Sequence, residues 1–284
     1  MSDVLTAEGV VLEPQSGEEG RAIDWRRVAA VVFACLVYFF LYAPIIVMAI
    51  FSFNKGSVQS LPLKGFSTTW YDKLFHDEAM KEALLFSLKV SLVAVAISCV
   101  AGTFFSLLFT RVRGRAMPVL QALIGLPFVM PGMVLGISML LALRQIGIEP
   151  GYLAIVIAHV TFITPVIIFI VTQRLRALDP SLEQASMDLG AGPLRTFVNV
   201  IFPSIRTTLI AAALLGFTVS FDEIIVTFFV SGSEQTLPVH IWTLLRQGFS
   251  PAVNAILTII AVFSVTLITI ATVAIQRSSR RAAT

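Results

Sequence analysis

The sequence predicts an all-α integral membrane protein with six membrane-spanning helices, and three observations carry the prediction. Of 284 residues, 57% are hydrophobic and 13% charged, a balance from which a fully water-facing surface cannot be built. Six apolar runs, at 28–53, 83–110, 117–143, 152–172, 207–230 and 253–275, each reach the roughly 20 residues that a helix needs to cross the hydrocarbon core. The charges gather in the short segments between those runs. A net charge of +3 would point to nucleic acid in a soluble chain; here Arg and Lys flank the spans, so topology accounts for them and no nucleic acid partner is expected.

In chain order, residues 1–27 read as an acidic, disordered tail (Asp3, Glu8, Glu13, Glu18, Glu19) closed by a basic flank of Arg21, Arg26 and Arg27. An acidic start excludes a secretory signal peptide. The first span follows at 28–53. Residues 54–82 form the longest outer loop, where Trp70, Tyr71, Leu74 and Phe75 suit a short helix at headgroup level. A core of five spans occupies 83–276, and 277–284 is a basic tail. Pro44, Pro127, Pro131 and Pro165 fall inside spans, where neighbouring helices satisfy the carbonyls they free. Cys35 and Cys99 also fall inside spans and read as small core hydrophobes, with no disulfide framework. Thirteen Arg residues lie on the side of both termini, among them Arg111, Arg174, Arg176, Arg195 and Arg206. Six basic residues lie on the other: Lys55, Lys64, Lys73, Lys81, Arg144 and Arg246. The asymmetry places both termini in the cytoplasm of a multi-pass membrane protein.

Motifs for chemistry are missing. No Gly-Lys pair occurs, so no phosphate-cradling loop is present. No H-E-x-x-H, no Cys/His cluster at metal spacing and no G-x-S-x-G occurs either. No catalytic residue, metal or cofactor is expected in the chain itself.

One polar segment stands out on the cytoplasmic side, 179–203. Asp179 is a good N-cap and Pro180 a good first helical residue. Gly190 suits the left-handed conformation that stops a helix, Gly192 and Pro193 start a second one, and Pro203 is expected to end it. A capped helix pair outside the membrane of so apolar a chain is built to touch something. The simpler alternative is a helical loop that shields two span ends.

Four ionisable residues lie inside the spans: Lys89, His159, Asp222 and Glu223. All four fall about 9–12 Å below the outer ends of their spans, deep enough that they face the bundle interior. In one reading Lys89 pairs with Asp222 or Glu223 and ties the second span to the fifth. In the other, the two acids leave a net negative layer along a solute pathway, together with Phe221 and Thr227. The adjacent acids point about 100° apart, so one can be structural while the other faces the path.

The segment 179–203 resembles the cytoplasmic coupling loop of ABC-importer permeases, E-A-A, three residues, G, nine residues, I-x-L-P. The register falls on Gln184, Ala185, Ser186, Gly190, Val200, Phe202 and Pro203. Gln184 replaces Glu, Ser186 replaces Ala and Phe202 replaces Leu, while Glu183 keeps a carboxylate one place earlier. Further segments are similar to the second permease subunit of polyamine-type ABC importers: His159 with Thr161, Phe162 and Pro165; Phe221-Asp222-Glu223 with Val226-Thr227; Val230-Ser231-Gly232; Leu237-Pro238; and Ser250-Pro251 with Val253-Asn254-Ala255. Lys89 departs from that pattern. The resemblance implies a type I importer permease in a bacterial inner membrane. It implies as partners a second homologous permease, two ATPase subunits that bind ATP and Mg, an extracytoplasmic solute-binding protein and the lipid bilayer. Glu183, Gln184, Ala185, Ser186, Met187, Asp188, Gly190, Ala191 and Pro203 would meet the ATPase. The solute would be a polyamine such as spermidine or putrescine. The alternatives are 4-aminobutyrate, an opine or aminoethylphosphonate on the same machinery, or a secondary transporter or channel that needs no ATPase.

Overall fold

The computed structural model describes residues 25–56, 62–112, 114–247, 251–262 and 265–266. The acidic tail, the basic C-terminal tail, Arg113, Ser250 and the end of the last apolar run lie outside the described residues. The elements among the described residues are helices: α1 Trp25–Ser52, α2 Thr69–Phe75, α3 Glu78–Arg111, α4 Met117–Val129, α5 Gly132–Gln145, α6 Tyr152–Arg176, α7 Pro180–Asp188, α8 Pro193–Thr196, a π-helical turn Phe197–Ile201, α9 Phe202–Phe221, α10 Ile225–Val230 and α11 Leu237–Gln247. A last apolar helix, α12, runs over Pro251–Val262.

The helix α6 is the axis of the bundle, with α3 and α9 against it. Lipid is as apolar as Leu, so close packing and interhelical hydrogen bonds have to hold these helices together. Small residues make the approach possible. A Cβ at Gly102 of α3 would stand 2.6 Å from Ile167 Cγ2, and one at Gly216 of α9 would stand 2.9 Å from Ile163 Cγ2. Ser106 Oγ donates to the Ile168 carbonyl at 3.2 Å, and Thr164 donates to Ser98 at 3.3 Å. The pairs 98 with 164 and 106 with 168 ascend together, so α3 and α6 run parallel. Ile155, Ile163, Ile167 and Val171 of α6 are wholly buried among Val90, Ala94, Ile205 and Ala212.

A second cluster caps the end of the bundle where α3 begins, with Leu74 of α2, Met80 and Ala83 of α3, Leu237 and Ile241 of α11 and Val253 and Ile256 of α12. Ser87 Oγ on α3 accepts the Leu237 amide at 2.7 Å, where α11 begins. The helix α1 stands apart: of its 28 residues only Ser52 is buried. It is pinned at its C-terminal tip, where Ser52 Oγ and the Tyr71 hydroxyl lie 2.7 Å apart, Trp70 Nε1 donates to the Asn54 carbonyl at 2.8 Å and Phe53 meets the Tyr71 ring.

Among the described residues, four helices are long and apolar enough to cross a membrane: Trp25–Ser52, Glu78–Arg111, Tyr152–Arg176 and Pro193–Phe221. Taken as one span, α4 and α5 make a fifth. α12 is the described part of the sixth run. Two expectations are corrected. The third run is not one straight helix: α4 and α5 meet at 108°. Pro131 has no amide to give and forces Met130 into the extended conformation (φ −67°, ψ 142°), which stops α4. The fifth run is not continuous either. It begins far earlier, at Pro193, and breaks at 222–224 before α10.

Candidate functional site: a capped inner helix pair and a broken span

At the end of the bundle where α3 and α6 finish, local chemistry fixes the turns of 179–203. Asp179 Oδ1 accepts the Ser181 amide at 2.9 Å, Pro180 opens α7, and this hydrogen bond holds the exposed Asp179 carboxyl below the usual carboxylate range. At the other end Gly190 takes φ +81°. Its amide bonds to the Met187 carbonyl at 2.8 Å and the Ala191 amide to the Ser186 carbonyl at 3.1 Å. These paired bonds are the Schellman closure of a helix. Gly192 and Pro193 then start α8, and Ser186 Oγ and Thr196 Oγ1, 3.0 Å apart, tie the two short helices together.

Pro203 does not end the second helix, as the sequence led us to expect. The π-helical turn Phe197–Ile201 widens the backbone ahead of it, with the Phe202 amide reaching back to the Phe197 carbonyl. That register shift gives the proline ring room where an α-helical carbonyl would clash. The helix therefore continues to Phe221, a rigid rod from the inner loop to the broken span. Arg174 Nε donates to the Ser204 carbonyl beside the turn at 3.2 Å.

The outward surface of the pair carries exposed apolar side chains among polar ones. Leu182, Met187, Leu189 and Leu194 are exposed, Leu189 at 89%. Gln184, Ala185 and Asp188 are exposed too, Ser186 and Ala191 are half-buried, and Pro203 is exposed at the second position of α9. Glu183 is engaged within the chain: Arg111 Nη2, in the last turn of α3, donates to its Oε2 at 2.9 Å.

The intramembrane residues separate into two places. Lys89 is exposed on α3 with its ammonium 4.4 Å above the Tyr152 ring. Among the described residues it forms no ion pair with Asp222 or Glu223, so the expected tie between the second and fifth spans is replaced by a cation–π contact. The acids instead make the break in the fifth span. Asp222 is exposed at the C-terminus of α9, and Glu223 turns back on α10, its Oε1 accepting the Val226 amide at 2.8 Å. Phe221 is half-buried in the last residue of α9, stacked on Phe217.

Beside the break lies a polar cluster that sequence reasoning found only in part. His159 of α6 is wholly buried. Its Nδ1 is 2.7 Å from Ser220 Oγ and its Nε2 2.9 Å from Thr227 Oγ1. Ser220 donates on to Ser91 of α3 at 3.1 Å, and Thr227 Oγ1 lies 3.1 Å from the Glu223 carbonyl. Four helices meet in this cluster. Ser91 and Ser220 were not singled out from the sequence, because a serine in an apolar run is ordinary; only their spacing along helices that face His159 marks them. No group of three metal-ligating side chains occurs among the described residues.

Residues 94–284 match the family described as binding-protein-dependent transport system inner membrane component. The chain is 37% identical over 244 residues to the putrescine transport system permease protein PotI of Escherichia coli K12, covering 83% of this chain and 85% of that one. It is 33% identical over 233 residues to the spermidine/putrescine transport system permease protein PotC of Haemophilus influenzae, covering 82% and 90%. Among solved structures it is similar to a bacterial ABC transporter that imports the acidic polysaccharide alginate, with TM-score 0.65, 18% identity and coverage of 90% and 98%. It is also similar to the MetNI methionine ABC transporter, with TM-score 0.56, 18% identity and coverage of 75% and 99%. These two likenesses establish the fold.

Proposed function

Because the chain belongs to the family of inner-membrane components of binding-protein-dependent transport systems, we propose that it is the permease subunit of an ATP-driven importer for a polyamine such as putrescine or spermidine. The observation that carries the motor half of this reading is the inner helix pair. Its first helix is capped at both ends, the pair bears exposed Leu182, Met187, Leu189 and Leu194, and its second helix continues into the broken span. In this reading two ATPase subunits, holding ATP and Mg, grip α7 and α8. Closure of the ATPase dimer moves the rod. The break at 222–224 then changes its exposure to solute released by an extracytoplasmic binding protein. A second, homologous permease completes the path, and both termini lie in the cytoplasm.

The solute half rests on the putrescine and spermidine permeases above and on Asp222, an exposed acid where a helix stops inside the bilayer, a place suited to an ammonium group. Lys89 favours a second reading. An exposed cation on the outer half of α3 suits a solute that carries an acid as well as an amine, such as 4-aminobutyrate, an opine or aminoethylphosphonate. Reconstituting the chain with its partner permease, ATPase and binding protein in liposomes decides between them. ATP-dependent uptake of labelled putrescine, unaffected by excess 4-aminobutyrate, is expected. Uptake that proceeds without ATP would overturn the importer reading, and competition by the amino acid alone would overturn the polyamine.

A further inference from the structure

We propose that His159 is a positioning residue: through Ser220 on one side and Thr227 on the other, its buried ring holds the break between α9 and α10 in shape and so fixes where the Asp222 and Glu223 carboxylates stand. This deepens the reading of the chain as an amine permease and rests on it for its transport arm.

The break needs such a pin. Six residues make up α10, far fewer than a helix needs to persist by itself. Three residues that belong to neither helix, Asp222 to Ile224, separate it from α9. Packing fixes its far side, where a Cβ at Gly136 of α5 would stand 2.7 Å from Phe229 Cδ2, and the Gly151 amide bonds to the Val230 carbonyl at 3.0 Å. At the near end Ile225 and Val226 also pack on Gly132 and Gly136 of α5, and polar groups add the link back across the gap to α9. Ser220 is in the last turn of α9 and Thr227 in the first turn of α10, and the imidazole reaches both. A neutral imidazole has one N–H and one lone pair. One ring nitrogen therefore donates to its hydroxyl and the other accepts, so the ring bridges Ser220 and Thr227 uncharged. Glu223 then closes the turn onto the Val226 amide. A lone buried histidine in a span invites the view that it binds solute. Its complete burial and two engaged nitrogens place it behind the acids, acting through them.

The two nitrogens give the test its resolution. A Gln at 159 presents an amide near the Nε2 position and keeps the bond to Thr227; an Asn presents one near Nδ1 and keeps only Ser220. In a chain with Cys35→Ala and Cys99→Ala, Ile224→Cys reports the break by its rate of labelling with a thiol reagent in intact membranes, with no solute involved. His159→Asn should label about tenfold faster than the parent, the size of one lost buried hydrogen bond, and His159→Gln at close to the parent rate. Putrescine KM in reconstituted liposomes should follow the same order, raised about tenfold by Asn and little by Gln. Thr227→Val, close in shape, removes the same bond and should behave as Asn does, which keeps the test decisive if a His159 variant fails to insert. Parent-like labelling in both His159→Asn and Thr227→Val overturns the proposal. A parent chain that takes up no putrescine overturns the solute reading alone, since labelling still decides the role of His159.

Discussion

At Gly190 the backbone sits at φ +81°, and nothing lies within 4 Å of where a Cβ would stand. The penalty for a side chain there is therefore conformational and not steric. A β-branched residue is the worst choice for a left-handed position, at a cost of about 1–2 kcal/mol, and Asn among the most tolerable. We expect Gly190→Val to abolish co-purification of the ATPase or uncouple hydrolysis from uptake, and Gly190→Asn to retain much of both. Equal behaviour of the two variants would show that the Schellman closure is dispensable. Eleven residues upstream, Asp179 offers a pH test with a definite sign. Its carboxyl is held below the ordinary value by the Ser181 amide. The cap therefore stabilises α7 above the unfolded pKa of about 3.9 and loses its hold as pH falls through the lower folded value. Proteolysis of the 179–203 loop should quicken on acidification in the parent and not in Asp179→Asn, which caps without titrating. Coincident profiles would exclude the carboxylate. These caps were legible in the sequence because each is a matter of one residue and its next three neighbours. Pro203 was misread for a related reason: the π-helical turn that accommodates it depends on carbonyl register four residues earlier, which no single residue type announces.

At the scale of elements, the packing of α3 and α9 on α6 was legible only as apolar runs. Which faces meet depends on Gly102 and Gly216, two of 17 glycines in the chain, and their places opposite Ile167 and Ile163 are set by tertiary structure. The breaks follow a similar division. Pro131 advertises the bend between α4 and α5, yet a proline also sits inside α6, at Pro165, without a break. The gap at 222–224 has no proline or glycine at all. It forms because Glu223 caps α10 and the His159 ring spans the opening, and both require the folded bundle. The Arg111–Glu183 contact is likewise invisible in sequence, 72 positions apart. An ion pair with side chains 39% and 30% exposed contributes only about 0–1 kcal/mol to stability. Its consequence is mechanical, since it ties the inner end of α3 to α7. Glu183→Gln should leave the melting temperature near that of the parent and lower the ratio of solute moved to ATP hydrolysed. Combining Arg111→Glu with Glu183→Arg should recover that ratio. Single and double variants with the parent's ratio would reduce the contact to a surface pair.

For the whole molecule, the charge bias and the packing divide the loops between the same two ends by separate routes. The basic asymmetry comes from the loops alone. The packing comes from which ends touch: Phe86 and Lys89 of α3 meet Tyr152 at the start of α6, while Arg111 at the end of α3 meets Glu183 just past the end of α6. Two parallel helices thus begin together on one side and finish together on the side of the capped pair. If that side is the cytoplasm, the outer cluster of α2, α11 and α12 faces the other compartment, with Trp70, Lys73 and Tyr71 at its rim. The prediction is a pattern of reporter activity. An enzyme that works only outside the cytoplasm should be active when inserted at Gly147 or Glu234, on loops of the outer end. It should be inactive at Leu189 or after the last residue, and a reporter that fluoresces only in the cytoplasm should show the reverse. A reversed pattern would put the helix pair out of reach of any ATPase. The transport reading would then fail even with the fold intact, because a lever on the wrong side of the membrane has no motor to move it.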